Sequence, residues 1–241
     1  MISVCLASYN GAPYIAEQIS SILAQLSSQD ELIVSDDDSS DGTTDIIRQF
    51  NDSRVKLLPG PCQGLIANFQ NALLHARGEV IILSDQDDVW LPGRLASVVP
   101  HLQHHDLVVC DCKVVDSGLN LISPSFYSLR GSGAGLIKNL ISNSYQGCCM
   151  AFQRRVIDLA LPFPVNVPMH DWWLGLVAEL YGRVLFLPQA GLLYRRHDAN
   201  QSNTAQTSTA GLITRIQWRF GLIVSLITRA PTALRIKWRR N

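Results

Sequence analysis

The chain of 241 residues has no acidic residue beyond Asp198. It has no apolar run near the ~20 residues needed to cross a bilayer, which excludes a spanning helix. None of its six cysteines (Cys5, Cys62, Cys110, Cys112, Cys148, Cys149) forms a Cys-x-x-Cys pair, and their spacing matches no zinc pattern. The opening residues lack the basic stretch of a secretory leader and read directly as a buried strand, so a cytoplasmic location with reduced thiols is expected. Charged residues are only 17% of the chain against 47% hydrophobic, which excludes a disordered protein and leaves room for one full core. There is no internal repeat and no low-complexity segment.

Charge is present but unevenly placed. Acids and bases balance at 20 each, yet Arg215, Arg219, Arg229, Arg235, Lys237, Arg239 and Arg240 all lie in the acid-free tail. Residues 1–198 therefore carry a net charge of −7, and the tail is expected to meet an anionic partner of its own. That partner is expected to be a membrane surface, not nucleic acid, because the basic residues are interleaved with Leu212, Ile213, Ile216, Trp218, Phe220, Leu222, Ile223, Val224, Leu226 and Ile227. Pro231 is expected to break this tail into two short helices.

The first half alternates strand and helix patterns. Strands are expected at Ile2–Ala7, Glu31–Ser35, Val55–Leu58 and Val80–Leu83. Helices are expected at Ile15–Leu26, through Phe50 with Thr43 or Thr44 as N-cap, and over Gly64–Arg77 with Gly78 at the C-terminal cap. Such βαβ units give a mostly parallel sheet with helices on both faces, and ligands bind at the carboxyl ends of its strands. Later, strands are expected at Leu107–Val115, Val184–Leu187 and Leu192–Tyr194, with helices at Arg155–Leu161 and Asp171–Tyr181. Gln146–Phe152 is apolar, and residues 124–144 are polar and Gly-rich.

Three polar clusters fall at the carboxyl edge: Ser8-Tyr9-Asn10, Asp36-Asp37-Asp38 and Asp85-Gln86-Asp87-Asp88. Three carboxylates within four residues repel unless a cation or donors compensate, and hard divalent ions take oxygen ligands shared with phosphates. Asp85 and Asp87 form an Asp-x-Asp suited to share the work of binding a metal and the ribose of a nucleotide; a solvated acidic turn is the alternative. A strand-end carboxylate among Asp36–Asp38 can accept the imide N–H of uracil or thymine, whereas helix capping explains only Asp41 or Asp45.

In this order, the motifs resemble the inverting nucleotide-sugar glycosyltransferases of family 2, with the GT-A fold, from Ile2 to about Ser202. Ser8-Tyr9-Asn10 resembles the loop whose aromatic stacks on the base. Val34-Ser-Asp-Asp-Asp-Ser-Ser-Asp-Gly-Thr43 resembles the signature whose second acid, Asp37, contacts a pyrimidine. The stretch Leu83–Pro92 resembles the metal-binding region, with Asp87 the direct ligand of Mg²⁺ or Mn²⁺ beside Asp85. His170-Asp171-Trp172-Trp173 resembles the acceptor-side motif, whose acid, Asp171, is the catalytic base. Tyr194-Arg195-Arg196-His197, followed by Asn200, resembles a late motif whose His lies near the diphosphate and metal. Asp88, Gly147, Trp172 and Arg195 are expected to adjoin the donor or acceptor sugar, with filling of the core the alternative for Trp172 and Trp173. The resemblance also implies a dTDP- or UDP-sugar donor, with the rhamnosyltransferase subgroup most similar, and a lipid-linked saccharide acceptor. A peripheral place on the inner face of the plasma membrane follows. The expected organisation is residues 1–105 for the nucleotide half, 106–206 for the acceptor half and 207–241 for the tail.

Two other readings fit parts of the pattern. Asp36-Asp37-Asp38-Ser39-Ser40 after a strand also resembles haloacid-dehalogenase-type phosphatases, but only Lys56 lies between the two acid sites and the first acid run follows the second strand. A nucleotide-binding membrane scaffold without catalysis is the non-enzyme alternative. His101, His104 and His105 read as an exposed helix end, and the adjacent Cys148 and Cys149 as small core residues.

Overall fold

The computed structural model describes residues 1–165, 167–197 and 211–238. Its elements run β1 (Ile2–Ser8), α1 (Ile15–Leu23), β2 (Glu31–Asp36), α2 (Thr43–Gln49), β3 (Val55–Pro59), α3 (Leu65–His75), β4 (Val80–Asp85) and β5 (Val89–Trp90). They continue with α4 (Arg94–Val98), β6 (Leu107–Val115), β7 (Leu121–Ser123), α5 (Phe126–Arg130), α6 (Leu136–Ile141) and β8 (Met150–Gln153). The last are α7 (Arg154–Ala160), α8 (His170–Tyr181), β9 (Val184–Arg195) and α9 (Leu212–Trp238).

Among the described residues these strands form one sheet in the order β3-β2-β1-β4-β8-β6-β9-β5, with β7 on β6. β1 is buried on both faces from Ser3 onward, as a central parallel strand must be. It pairs in parallel with β2 and β4, and β2 with β3. β8 runs antiparallel to both β4 and β6, so it joins the parallel strands β1 to β4 to the later strands β6 and β9 within a single sheet. α1 is held on this sheet by Ile15, Ile19 and Ile22, one helical stripe. Its buried polar residue, Gln18, donates to Ser84 Oγ (2.7 Å) and the Asp85 carbonyl (2.9 Å), which steadies the end of β4.

Several boundaries differ from the sequence pattern. The cap of α2 is Gly42 at φ +92°, and the Asp41 carboxylate, not a threonine, accepts from Thr43 N (3.1 Å) and Thr43 Oγ1 (2.5 Å). α3 ends at His75, and Gly78 lies beyond it: a Cβ there would sit 2.6 Å from Ser3 N, so Gly78 serves close approach to β1 instead of a helix cap. The two short strands expected after residue 184 are one, β9, which follows β6 in parallel along its whole length. Its register skips Pro188 and Gln189, between the pairs Cys110↔Leu187 and Asp111↔Ala190, because Pro cannot donate to the ladder. The Gly-rich stretch of residues 124–144 holds α5 and α6.

The tail is one helix, not two. Pro231 lies inside α9, whose inner face is pinned to the domain by buried Leu222, Leu226 and Ala233 and by Arg229, which donates to the carbonyls of Leu161, Ala160 and Pro162. Tertiary packing over both turns outweighs the one hydrogen bond that Pro231 removes.

Candidate active site

The parallel register puts Ser8 beside Asp36 and Ala7 beside Asp85, so the three polar clusters share one sheet edge. They line a cleft of about 720 Å³ with Tyr9, Asn10, Tyr14, Asp37, Asp38, Asn68, Asp85, Gln86, Asp87 and His197 in its wall. Its rim is held by paired loops. Asn10 N donates to Ser39 Oγ (2.8 Å), Asn10 Oδ1 accepts from Ser40 N (2.9 Å), and Ala12 N donates to Asp41 Oδ2 (3.0 Å). Gln86 mimics a strand, accepting from Tyr9 N (2.9 Å) and donating to Tyr9 O (3.0 Å). A Cβ on Gly11 would fall 2.2 Å from Gln86 Oε1, so only glycine admits that pairing. Asn10, Asp38 and Cys62 all adopt positive φ around this cleft (+48°, +68° and +55°), the kind of local strain that collects at binding sites.

The acid triplet divides its tasks. Asp36 is buried and accepts from Ser8 Oγ (2.6 Å), Ser39 N (2.9 Å) and Ser39 Oγ (2.7 Å), so it staples loops behind the cleft. Asp37 and Asp38 line the cleft itself. Asp37 also holds the opposite loop, accepting from Cys62 N (2.6 Å) and Gly64 N (2.9 Å), which leaves lone pairs on each oxygen for a ligand. Tyr9 is half exposed above the same wall, its ring open for stacking.

At the end of β4 the acids crowd. Burial, followed by the charges of Asp87 and Asp171, pushes the Asp85 carboxyl up to about 7. Burial also raises Asp87 and raises Asp88 strongly. His197 Nε2 meets Asp87 Oδ2 at 2.9 Å, opposing the rise at Asp87, and the His197 ring stacks on Tyr14 at 4.7 Å. Asp85, Asp88 and Cys148 each bring a ligand atom within 4.8 Å of the others. Asp85 and Asp87, whose carboxyls burial raises, line the cleft with the His197 imidazole beside them, a donor set that suits a hard divalent cation.

Asp171 reaches this edge from the first turn of α8. Its Oδ1 accepts from Trp172 N (2.6 Å), and Gly147 N and the Asn143 side chain also donate to the carboxylate. Burial nevertheless raises it to about 6, close to the range of a working base. Gly147 is buried against it: a Cβ there would meet His170 Nε2 at 3.0 Å.

Other expected sugar neighbours face inward. Asp88 is fully buried and accepts from Arg195 N (3.1 Å). Arg195 donates to the Asp87 carbonyl (2.8 Å), the Ser117 carbonyl (2.7 Å) and Glu17 (2.5 Å), clamping the acidic loop from behind. Trp172 is nearly buried with Nε1 on the Asn139 carbonyl (2.7 Å), and Trp173 is fully buried with Nε1 on Ala160 O (3.0 Å). Both tryptophans pack α8 instead of facing the cleft. Asp198 and Asn200 lie outside the described residues. Sequence reasoning missed Asn68, which donates to Ser8 O (3.1 Å) from the cleft wall; a lone polar residue on the buried stripe of α3 was its only signal. His170, which opens the motif of Asp171, is buried and stacked on Phe69 at 4.0 Å, its pKa lowered to about 3 by burial.

The family model for glycosyl transferase family 2 matches residues 3–159, well over half of the chain. The chain belongs to glycosyl transferase family 2. An uncharacterized glycosyltransferase of Nostoc sp. is 27% identical over 87% of this chain and 69% of its own length. The dTDP-rhamnosyl transferase RfbG of Shigella flexneri is 25% identical over 81% of this chain and 73% of its own. The Escherichia coli enzyme WfgD, named as a UDP-Glc:alpha-D-GlcNAc-diphosphoundecaprenol beta-1,3-glucosyltransferase, is 40% identical over 39% of this chain and 38% of its own. Among solved structures, TarS 1-349 of S. aureus with UDP-GlcNAc superposes with a TM-score of 0.69 at 20% identity, over 92% of this chain and 66% of that one. The chain thus spans about two thirds or less of several relatives. The superposition establishes the GT-A-like fold of this family 2 glycosyltransferase, as the motifs implied. The alternative phosphatase reading also loses its lysine, since Lys56 Nζ is paired with Glu31 at 2.5 Å within β3.

Proposed function

We propose that this family 2 glycosyltransferase moves a sugar, with inversion, from a pyrimidine nucleoside diphosphate onto a hydroxyl of a lipid-linked saccharide at the inner face of a bacterial plasma membrane, in surface polysaccharide synthesis such as that of O-antigen. The carrying observation is that Asp171, although α8 lies some 85 residues from β4, comes close enough to the cleft-lining Asp85 for its charge to raise that carboxyl. Tyr9 stacks on the base and Asp37 accepts its imide N–H. Asp171 takes the proton from the acceptor hydroxyl as that oxygen bonds to the anomeric carbon and the bond to the diphosphate breaks. With one carboxylate base and no enzyme nucleophile, the configuration inverts. Mg²⁺ or Mn²⁺ held by Asp87, Asp85 and His197 would supply positive charge against the departing diphosphate. Asp88 and Arg195 act through the acidic loop they position, and Gly147 and Trp172 through Asp171.

The relatives' printed names support a nucleotide-sugar donor and, for WfgD, a diphosphoundecaprenol-linked acceptor. dTDP-rhamnose is the first donor to test. A mass-spectrometric screen of dTDP- and UDP-sugars, each with a diphospholipid-linked saccharide, should give one mass gain of a sugar unit. Release of free sugar with no transfer product from any acceptor would overturn the transferase role, and no turnover of any pyrimidine donor would overturn the donor class.

A further inference from the structure

α9 is apolar on two separate faces. Its inner face is spent on the domain through Leu222, Leu226 and Ala233, with Tyr181 Oη donating to the Leu226 carbonyl (2.5 Å). On the outer face Ile213, Ile216, Phe220, Ile223, Ile227 and Leu234 recur at steps of three, four or seven residues and are 40% to 74% exposed. At 100° per residue they fall on one stripe turned away from Leu222 and Leu226. Ile137 and Ile141 of α6 are also exposed, and Arg219 ties the two helices by donating to the Ile141 carbonyl. The packed helix thus leaves a broad apolar surface in solvent where a soluble monomer would carry charge.

The charge around this surface selects its occupant. All seven ionisable residues after Asp198 are basic; Arg235 is exposed beside the stripe, and Arg215 is exposed in the first turn of α9. Two copies pairing along it would bring only like charges together, with no acid to offset them. An anionic bilayer offers both hydrocarbon and the opposite charge, while the net −7 of residues 1–198 turns the rest of the molecule away from it. We propose that the outer face of α9, together with Ile137 and Ile141, is a docking surface for an anionic lipid bilayer, engaged while α9 stays packed on the domain. Arg219 also lies over the Trp172 ring at 5.9 Å, next to Asp171, so the docked face adjoins the helix that carries the base. That geometry suits an acceptor presented from the membrane, a consequence that rests on the transferase reading; the docking itself does not.

The test is vesicle flotation of the full chain without substrates, using phosphatidylcholine alone or with phosphatidylglycerol. The parent should float only with the anionic vesicles, and less at high salt. Phe220→Asp with Ile227→Asp should weaken that binding by about tenfold or more, since it places two acids on the lipid face. Arg215→Glu with Arg235→Glu should do the same through charge alone and leaves all packing intact, so it decides the matter should the first pair misfold. Thermal melts and calorimetric binding of dTDP and UDP should be unchanged in both. A parent that ignores anionic vesicles, or variants that float like it, would overturn the proposal. So would a parent dimer in light scattering that the first pair converts to monomer, which would assign the stripe to a second copy. Transfer to a water-soluble acceptor, followed separately, isolates a failure of the catalytic reading from a failure of docking.

Discussion

Replacing Asp171 by asparagine should make the apo protein more stable while nearly abolishing turnover. The side chain keeps its size and one oxygen for the Trp172 N–H, but it can no longer hold a charge. In the folded protein burial raises the Asp171 carboxyl from the usual carboxylate range to about 6. The folded state therefore binds this proton more tightly than the unfolded chain does. Its contribution to stability is present in full below about pH 4 and is lost as pH rises through about 6. A shift of about two units at ~1.4 kcal/mol each makes the ionised side chain cost roughly 3 kcal/mol above pH 7. That is an upper bound for the variant, because the amide cannot accept every donor that now faces the carboxylate. Urea unfolding in chelator should show parent and Asp171→Asn converging near pH 4 and separating by about 1–3 kcal/mol at pH 8, with the variant more stable. With donor, acceptor and metal present, turnover should fall by about 10²-fold or more, and parental kcat/KM should drop tenfold per pH unit below about 6. Parallel stability curves would refute the buried, proton-binding carboxylate. Turnover within tenfold of the parent would place the base elsewhere.

Three further outcomes follow from the cleft and core. Chelation with EDTA should abolish transfer and Mg²⁺ or Mn²⁺ restore it, whereas Asp87→Ala, which strips His197 of its carboxylate partner, should stay inactive with either metal; full activity in chelator would remove the metal role. Asp37→Ala should weaken dTDP and UDP binding by about 1–3 kcal/mol in calorimetry, with a smaller change for any purine nucleotide; part of that loss reflects release of the Cys62–Gly64 loop, and equal binding by mutant and parent would refute base reading. Gly175→Ala should cost about 1–3 kcal/mol in denaturant unfolding, because its new Cβ would fall 2.3 Å from the buried Tyr145 ring, whose hydroxyl is bound to Glu179.

What the sequence made legible follows from which forces act locally. The strand ends at Ser8, Asp36 and Asp85 could be placed because hydrophobic runs stop abruptly at polar residues, and parallel pairing then aligns such ends without further information. β9 was split in two because Pro188 and Gln189 read as a break, while the partner that carries the strand across them, β6, lies some 75 residues earlier. α9 was split for the same reason: Pro231 is a local signal, and the carbonyls of residues 160–162 that receive Arg229 are not local.

The site shows the same limit in a sharper form. The acid run pointed to Asp36, and the family resemblance to Asp88, Arg195 and Trp172, as neighbours of ligand. Each is buried, and its purpose is internal. Asp36 fixes the turn that presents Asp37 and Asp38, and Arg195 fixes the loop that presents Asp87 to His197. Asp88 receives the backbone N–H of Arg195, and Trp172 ties α8 to α6 through Asn139. A ligand-facing acid and the acid that aims it are chemically alike in a sequence, and only the direction of the backbone at each position separates them. At Asp38 that direction is set by a φ of +68°, which turns its side chain into the cleft while Asp36, two residues earlier, points into the protein. The structure thus divides one run of three aspartates into a support and two presented groups, as strict alternation along an extended chain would not.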